Sequence, residues 1–193
     1  PAGGAVHAPD EVEGRVEFRD ATGPLATPPR GPFLTVMRVE SAFGDQPGVA
    51  GQFSGGTTFG TAATPGRYVV QPYESAQWFV QSVTLDGKDI TDTPFDLPSD
   101  ATSLVVVYSE RHSSLSGTVK DARGDASATA VVLAFPADPA RWSGYGPNPR
   151  FMTSTPASRA GAYTFNNLPA GEYFLIAIDG ADVEGWTDPK TLE

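Results

Sequence analysis

The chain repeats itself. A run with a glycine near its centre, VEGRVEFR at 12–19, returns as LSGTVKDARGD at 115–125, and Gly14 and Gly117 are 103 residues apart. A proline-glycine turn leading an aromatic-headed run, PGRYVVQPY at 65–73, returns as PAGEYFLIAI at 169–178. There Gly66 to Gly171 and Tyr68 to Tyr173 are both offsets of 105 residues. Between them, FLTVMRV at 33–39 is echoed by AVVLAF at 130–135. Self-similarity in the same order at offsets of about a hundred residues means two copies of one architecture.

The runs themselves indicate the architecture. In 12–19, Val12, Gly14, Val16 and Phe18 fall at period two, the signature of a strand with one buried face. Further strand-like runs lie at 65–73, 78–85 and 103–110, with a weaker Gly/Thr-rich one in 49–63. The second copy adds 150–155 and 161–165. With 21 glycines and 18 prolines, long helices are disfavoured and short strands joined by turns are favoured. The expected fold is all-β, two tandem Greek-key-type β-sandwiches. No interval has the pattern of a helical crossover, so the strands are expected to pair antiparallel. The expected division is an N-terminal tail at 1–11, a divergent sandwich at 12–110, a link at 111–114 and a second sandwich at 115–193. An equivalent of 103–110 at the same offset would fall beyond Glu193, so the second sandwich is expected to lack its last strand. Either the polypeptide continues or that strand comes from elsewhere, and an unfilled sheet edge is a pairing hazard or an assembly device.

The segment SGTVKDARGDASATAVVLAFPAD, followed by GAYTFNNLPAGEYFLIAID, resembles the carboxypeptidase regulatory-like domain. That domain is a transthyretin-like, prealbumin-type β-sandwich, also grouped with starch-binding-like folds. Gly117, Val119, Asp121 and Gly124 match the first half of the family pattern. Gly161, Tyr163, Phe165, Leu168, Gly171 and Tyr173 match the second. The first copy matches loosely, through Gly14, Val16, Asp20, Gly23, Gly66 and Tyr68. The resemblance implies the fold more than the function, because such modules accompany peptidases and surface receptors without being the enzyme. The matched residues are structural, so no catalytic residue carries over.

Composition narrows the chemistry. A formal charge of −10 repels phosphate backbones, which argues against nucleic-acid binding. The chain has no cysteine, which removes disulfides, thiolate metal sites and cysteine nucleophiles. No apolar run approaches the length of a membrane-spanning helix. The chain opens on Pro1 without an initiator Met, compatible with a removed export signal. Its two histidines, His7 and His112, lie in the tail and the link, 105 residues apart, and do not form the two-histidine-plus-carboxylate constellation of a zinc peptidase. No G-x-S-x-G elbow is present.

Three features remain as candidate sites. In DGKDITDTPFD, Asp86, Asp89 and Asp92 lie close together, as calcium ligands from one loop would, although Lys88 opposes them and the spacing is not that of an EF-hand. A turn capped by Asp side chains explains the same residues. The longest irregular insertion of the second copy, ADPARWSGYGPNP at 137–149, carries Arg141, Trp142 and Tyr145, which could stack on a sugar ring or pack on their own sandwich. The small-residue N-terminus PAGGAVHA could donate a strand to another subunit. The RGD at 123–125 sits where a hairpin turn is wanted.

These observations lead to a non-catalytic, exported structural or adhesive module of a bacterial surface protein, with glycans or other surface proteins as partners. The alternatives are a self-assembling subunit that exchanges strands at an open edge and an accessory domain of a larger secreted enzyme or receptor.

Overall fold

The computed structural model describes residues 10–25, 34–38, 49–50, 52–55, 57–63, 66–75, 77–97, 103–111, 113–146 and 149–192. The chain divides into two compact units, Pro1–Arg111 and His112–Glu193. The candidate donor segment at 1–8, with His7, and also His112 lie outside the described residues.

Unit 1 contains β1 (Asp10–Arg19), β2 (Leu34–Arg38), β3 (Val49–Ala50), β4 (Gln52–Gly55), β5 (Thr58–Ala63), β6 (Gly66–Pro72), β7 (Phe79–Leu85), β8 (Lys88–Asp89), β9 (Phe95–Leu97) and β10 (Leu104–Ser109). They form one sheet in the order β4-β5-β1-β10-β7-β8 and a second in the order β3-β2-β6-β9. The alternation seen in the sequence decides what is buried. Val12, Val16 and Phe18 of β1 join Leu104, Val106 and Tyr108 of β10, with Tyr68 and Val70 from the second sheet, in one core. Phe18 stacks on Tyr108 and meets Trp78 edge-on, at 5.4 and 5.1 Å between ring centroids. Trp78 is thus a core residue.

Two local features depart from the expected pattern. β1 and β10 pair in parallel, with Gly14 opposite Leu104 and Phe18 opposite Tyr108. No helix among the described residues makes the crossover. The chain reaches β10 from β9 in the opposite sheet, so strands of that sheet do the work of a crossover helix. The Asp-rich stretch is also more regular than a loop. Asp86 (φ 47°) and Gly87 (φ 82°) make the left-handed two-residue turn that joins β7 to β8. β9 then pairs with β6. β1 begins at Asp10, inside the segment expected to be tail.

Unit 2 contains β11 (Ser114–Thr118), β12 (Ala130–Pro136), β13 (Thr153–Pro156), β14 (Ala162–Asn166) and β15 (Tyr173–Asp179), with a four-residue helix α1 (Pro189–Leu192). β11 pairs with β14, and the other sheet runs β13-β12-β15. The repeat is now visible as pairing. β1 with β5 corresponds to β11 with β14, and β2 with β6 corresponds to β12 with β15, all antiparallel. Gly14 lies opposite Phe59, and Gly117 lies opposite Tyr163. Among the described residues of unit 2, no strand takes the place that β7, β9 or β10 takes in unit 1. The class is all-β.

β12 separates two clusters. Its Val132 and Ala134 meet Phe165 of β14 on the inner face, between the sheets. Its Val131, Leu133 and Phe135 face outward, under Phe151 and Met152 and beside Trp142, Tyr145, Val183, Trp186 and Leu192.

Candidate functional site

The aromatic loop follows directly from β12. Asp138 accepts a hydrogen bond from Ala140 N at 3.0 Å and caps the short 3-10 turn Pro139–Arg141. That turn swings Trp142 back over the strand it has just left. The indole N–H of Trp142 donates to Pro136 O at 2.8 Å, and its ring meets Phe135 edge-on at 5.8 Å. Tyr145 meets Phe151 edge-on at 5.1 Å. The Arg141 guanidinium lies 4.1 Å from the Phe151 centroid and 5.9 Å from that of Tyr145. So the fold brings Arg141, Trp142 and Tyr145 together, each half-buried. They meet as a lid on the outer cluster of unit 2. The arrangement is cation–π and edge-to-face packing, and it uses the indole donor internally.

The acidic candidates are not gathered in the same way. Asp86 Oδ1 accepts from Ser103 N at 2.9 Å, tying the β7–β8 turn to the approach to β10. Asp89 Oδ1 accepts from Thr91 N at 2.8 Å. The Thr91 side chain and then its backbone N–H hold the Asp89 carboxyl below its ordinary value of 3.8. Asp92 sits at φ 50°, a turn conformation that Asp tolerates. Among the described residues no group of three or more His, Asp or Glu side chains is placed to hold a metal ion. The carboxylates of Asp86 and Asp89 are each engaged with backbone N–H groups of different segments rather than with one another.

The same habit recurs elsewhere. Asp20 accepts from the hydroxyl and N–H of Thr22 and from Gly23 N, and its carboxyl is lowered, by the Thr22 side chain most. Asp121 accepts from Arg123 N and Asp125 N, closing the turn that holds the RGD sequence. Asp179 caps the turn at Gly180–Asp182, and Asp188 accepts from Lys190 N. A short-side-chain acid at a turn satisfies backbone donors that would otherwise face water alone.

The most unusual surface is on unit 2, where sequence inspection of single motifs gave no signal. Leu115 lies opposite Phe165, and Leu175 lies opposite Ala134, so both belong to the inner face. Both are 39% exposed. On the outer face of β15, Phe174 and Ile176 are exposed at 49% and 45%. β15 and β11 each pair on one side only among the described residues. No helix among those residues is long and apolar enough to cross a membrane.

No family model matches the chain, and no curated protein matches it. Several solved structures are similar to it. The shaft pilin SpaA from Lactobacillus rhamnosus GG is 12% identical over 91% of this chain and 89% of that one, with a TM-score of 0.34. A streptococcal ancillary pilin is 16% identical over 88% of this chain and 54% of that one, with a TM-score of 0.29. Two B repeat units of the collagen-binding protein of Staphylococcus aureus are 12% identical over 86% of this chain and 44% of that one, with a TM-score of 0.24. Scores this low align no individual residues, and the all-β class rests on the sheets themselves.

Proposed function

We propose that this chain is a non-catalytic structural or adhesive module of an exported bacterial surface protein. The observation that carries the reading is the destination of its reactive-looking side chains. Asp20, Asp89, Asp121, Asp138, Asp179 and Asp188 cap turns, Asp86 ties a turn to the approach to β10, and Arg141, Trp142 and Tyr145 pack on one another's neighbours. What distinguishes the surface is apolar strand rather than converging polar groups, and that suits association.

The resemblance of 115–178 to the carboxypeptidase regulatory-like module is part of this proposal. It is supported by the structural use of the motif. Gly117 lies against the Tyr163 ring, and Val119 N donates to Gly161 O at 2.8 Å. A glycan contact at Trp142 and Tyr145 would have to use the parts of their rings left open above the outer cluster. Self-association is the second reading, favoured by the exposed Phe174, Leu175 and Ile176 of β15.

The test is location. Protease shaving of intact source cells, followed by immunodetection, is expected to remove the protein. A chain found only in the cytoplasm of lysed cells would refute the proposal.

A further inference from the structure

The outer cluster of unit 2 has two covers, and they are held in different ways. The first is the loop that carries Arg141, Trp142 and Tyr145. Its Trp142 donates the indole N–H to Pro136 O at 2.8 Å and meets Phe135 edge-on. Tyr145 meets Phe151 edge-on, and Arg141 lies over the Phe151 ring. The second cover is the segment that follows β15. It brings Val183, Trp186 and Leu192 onto the cluster of Leu133, Phe135, Phe151 and Met152.

The second cover touches the sandwich along one stripe. Val183, Trp186, Pro189 and Leu192 are half-buried, and every other residue from 181 to 192 is exposed. That spacing of three lines up the side chains of a tightly wound segment on one side. Its polar bonds stay inside it. Asp188 N donates to Gly185 O at 3.0 Å, Thr191 N to Asp188 O at 2.8 Å and Lys190 N to the Asp188 carboxylate at 2.9 Å. The ties to the rest of unit 2 lie at the root, where Gly180 N donates to Thr129 O and Ala181 N to the Asp179 carboxylate, both at 3.0 Å. From Glu184 onward, no hydrogen bond or ion pair among the described residues joins the segment to either sheet. The Trp186 indole N–H has no such bond, in contrast to that of Trp142. Charge adds no grip. Asp182, Glu184 and Asp188 stand against Lys190, all four exposed, in a chain of formal charge −10.

Lifting this segment off therefore breaks side-chain packing and no hydrogen bond to the sheets. Lifting the Trp142 loop would break the bond to Pro136 O and the ring pairs as well. Elements held by few buried apolar contacts open at a lower free energy than the sheets they lie on. We propose that residues 184–192 form a detachable strap. It leaves the outer face as a cooperative unit of its own, pivoting at the Gly180–Asp182 turn, while the sheets of unit 2 and the Trp142 loop stay in place. The occupant of this part of the outer face is thus the chain itself, and release of the strap uncovers the apolar surface beneath Trp186 and Leu192. The strap goes beyond the surface-module reading, and its release does not depend on where the protein resides.

The three tryptophans supply the test, because they report on three parts of the chain. Trp78 lies in the core of unit 1, Trp142 in the loop and Trp186 in the strap. The full chain is labelled with 5-fluorotryptophan, its fluorine resonances are assigned with single Trp→Phe variants, and urea is titrated in. Trp186 is expected to reach its unfolded resonance at least about 1 M urea below Trp142. Its transition is expected to be no more than about half as steep, because the slope follows the surface exposed. Leu192→Ala is expected to lower the Trp186 midpoint by at least about 0.5 M and to leave those of Trp142 and Trp78 within about 0.2 M. Val183→Ala, at the other end of the stripe, is expected to act in the same direction. Release of Trp186 and Trp142 at one midpoint with one slope would overturn the proposal. So would a Leu192→Ala shift shared equally by Trp142, because strap and sheets would then open as one unit.

Discussion

The ring of Tyr163 covers the Cα of Gly117 so closely that a Cβ built there would lie 2.5 Å from Tyr163 Oη. The same relationship joins Gly14 to the ring of Phe59 in the first unit. Glycine weakens a strand unless something packs on it, and here a cross-strand aromatic fills the space. Gly117→Ala and Gly14→Ala are therefore each expected to destabilise their own unit by about 1–3 kcal/mol through overpacking. Removing the ring should relieve the clash, so a Gly117→Ala/Tyr163→Ala cycle is expected to show a coupling of at least about 0.5 kcal/mol. Urea denaturation of the four variants measures it. Additive effects would mean the ring does not sit on the glycine.

Two left-handed glycines separate strain from clash. Gly124 has φ 88° and open space where a Cβ would go. Gly124→Ala should cost only the left-handed penalty, about 1–2 kcal/mol. Gly161 has φ 74°, and a Cβ there would run into Val119 O. Gly161→Ala adds a backbone collision and is expected to cost roughly 2–5 kcal/mol. Thermal melts of the two variants should rank in that order.

Trp142 reports on whether the 137–149 loop is packing or a binding platform. Trp142→Phe keeps much of the contact with Phe135 but loses the bond to Pro136 O, and is expected to cost about 1 kcal/mol. Trp142→Ala loses the ring as well and should cost about 2–3 kcal/mol, below the value for a fully buried ring because the residue is half-buried. Calorimetry checks both. A Trp142→Ala chain as stable as the parent would return the residue to the binding candidates.

Acid should act on the turn carboxylates. Asp20 and Asp89 have folded pKa values below their ordinary 3.8. A group lowered by folding stabilises the native state fully above its unfolded value and loses that contribution as pH falls through the folded value. Stability from these two groups is therefore expected to be constant from pH 8 to about 5 and to decline below about 4. Asp89→Asn should flatten part of that decline. Urea midpoints across pH 2–7 give the answer, and a parallel fall in parent and variant would show that Asp89 is not a source.

Much of the fold was legible because its strands alternate. β1, β6, β7 and β10 announced themselves through Val12, Val16, Phe18, Tyr68, Val70, Val83 and Val106, whose period-two spacing is what one buried face requires. β8 and β9 were not legible. Their segment is rich in Asp and reads as a turn, yet Ile90 and Leu97 are buried in the core and Phe95 lies tilted on Tyr68 at 6.4 Å. The parallel β1–β10 pair was misread because local pattern does not say through which sheet a chain returns. The loop carrying Arg141, Trp142 and Tyr145 was found from its composition. Its inward packing depends on Phe135 and Phe151, and no short window contains that relationship. The open face was foreshadowed by the repeat offset, yet its extent was not. The offset pointed to a counterpart of β10 alone, whereas β7 and β9 also have none among the described residues of unit 2.

The central claim is that one position of a repeated sandwich is sealed in unit 1 and open in unit 2. The chain has no cysteine, so single-thiol variants report cleanly. Val70→Cys and Leu175→Cys should be compared by reaction with a maleimide at pH 8 under native conditions. Leu175→Cys is expected to react at a rate close to that of the unfolded chain, and Val70→Cys at least a hundredfold more slowly. Equal protection at both positions would contradict the account.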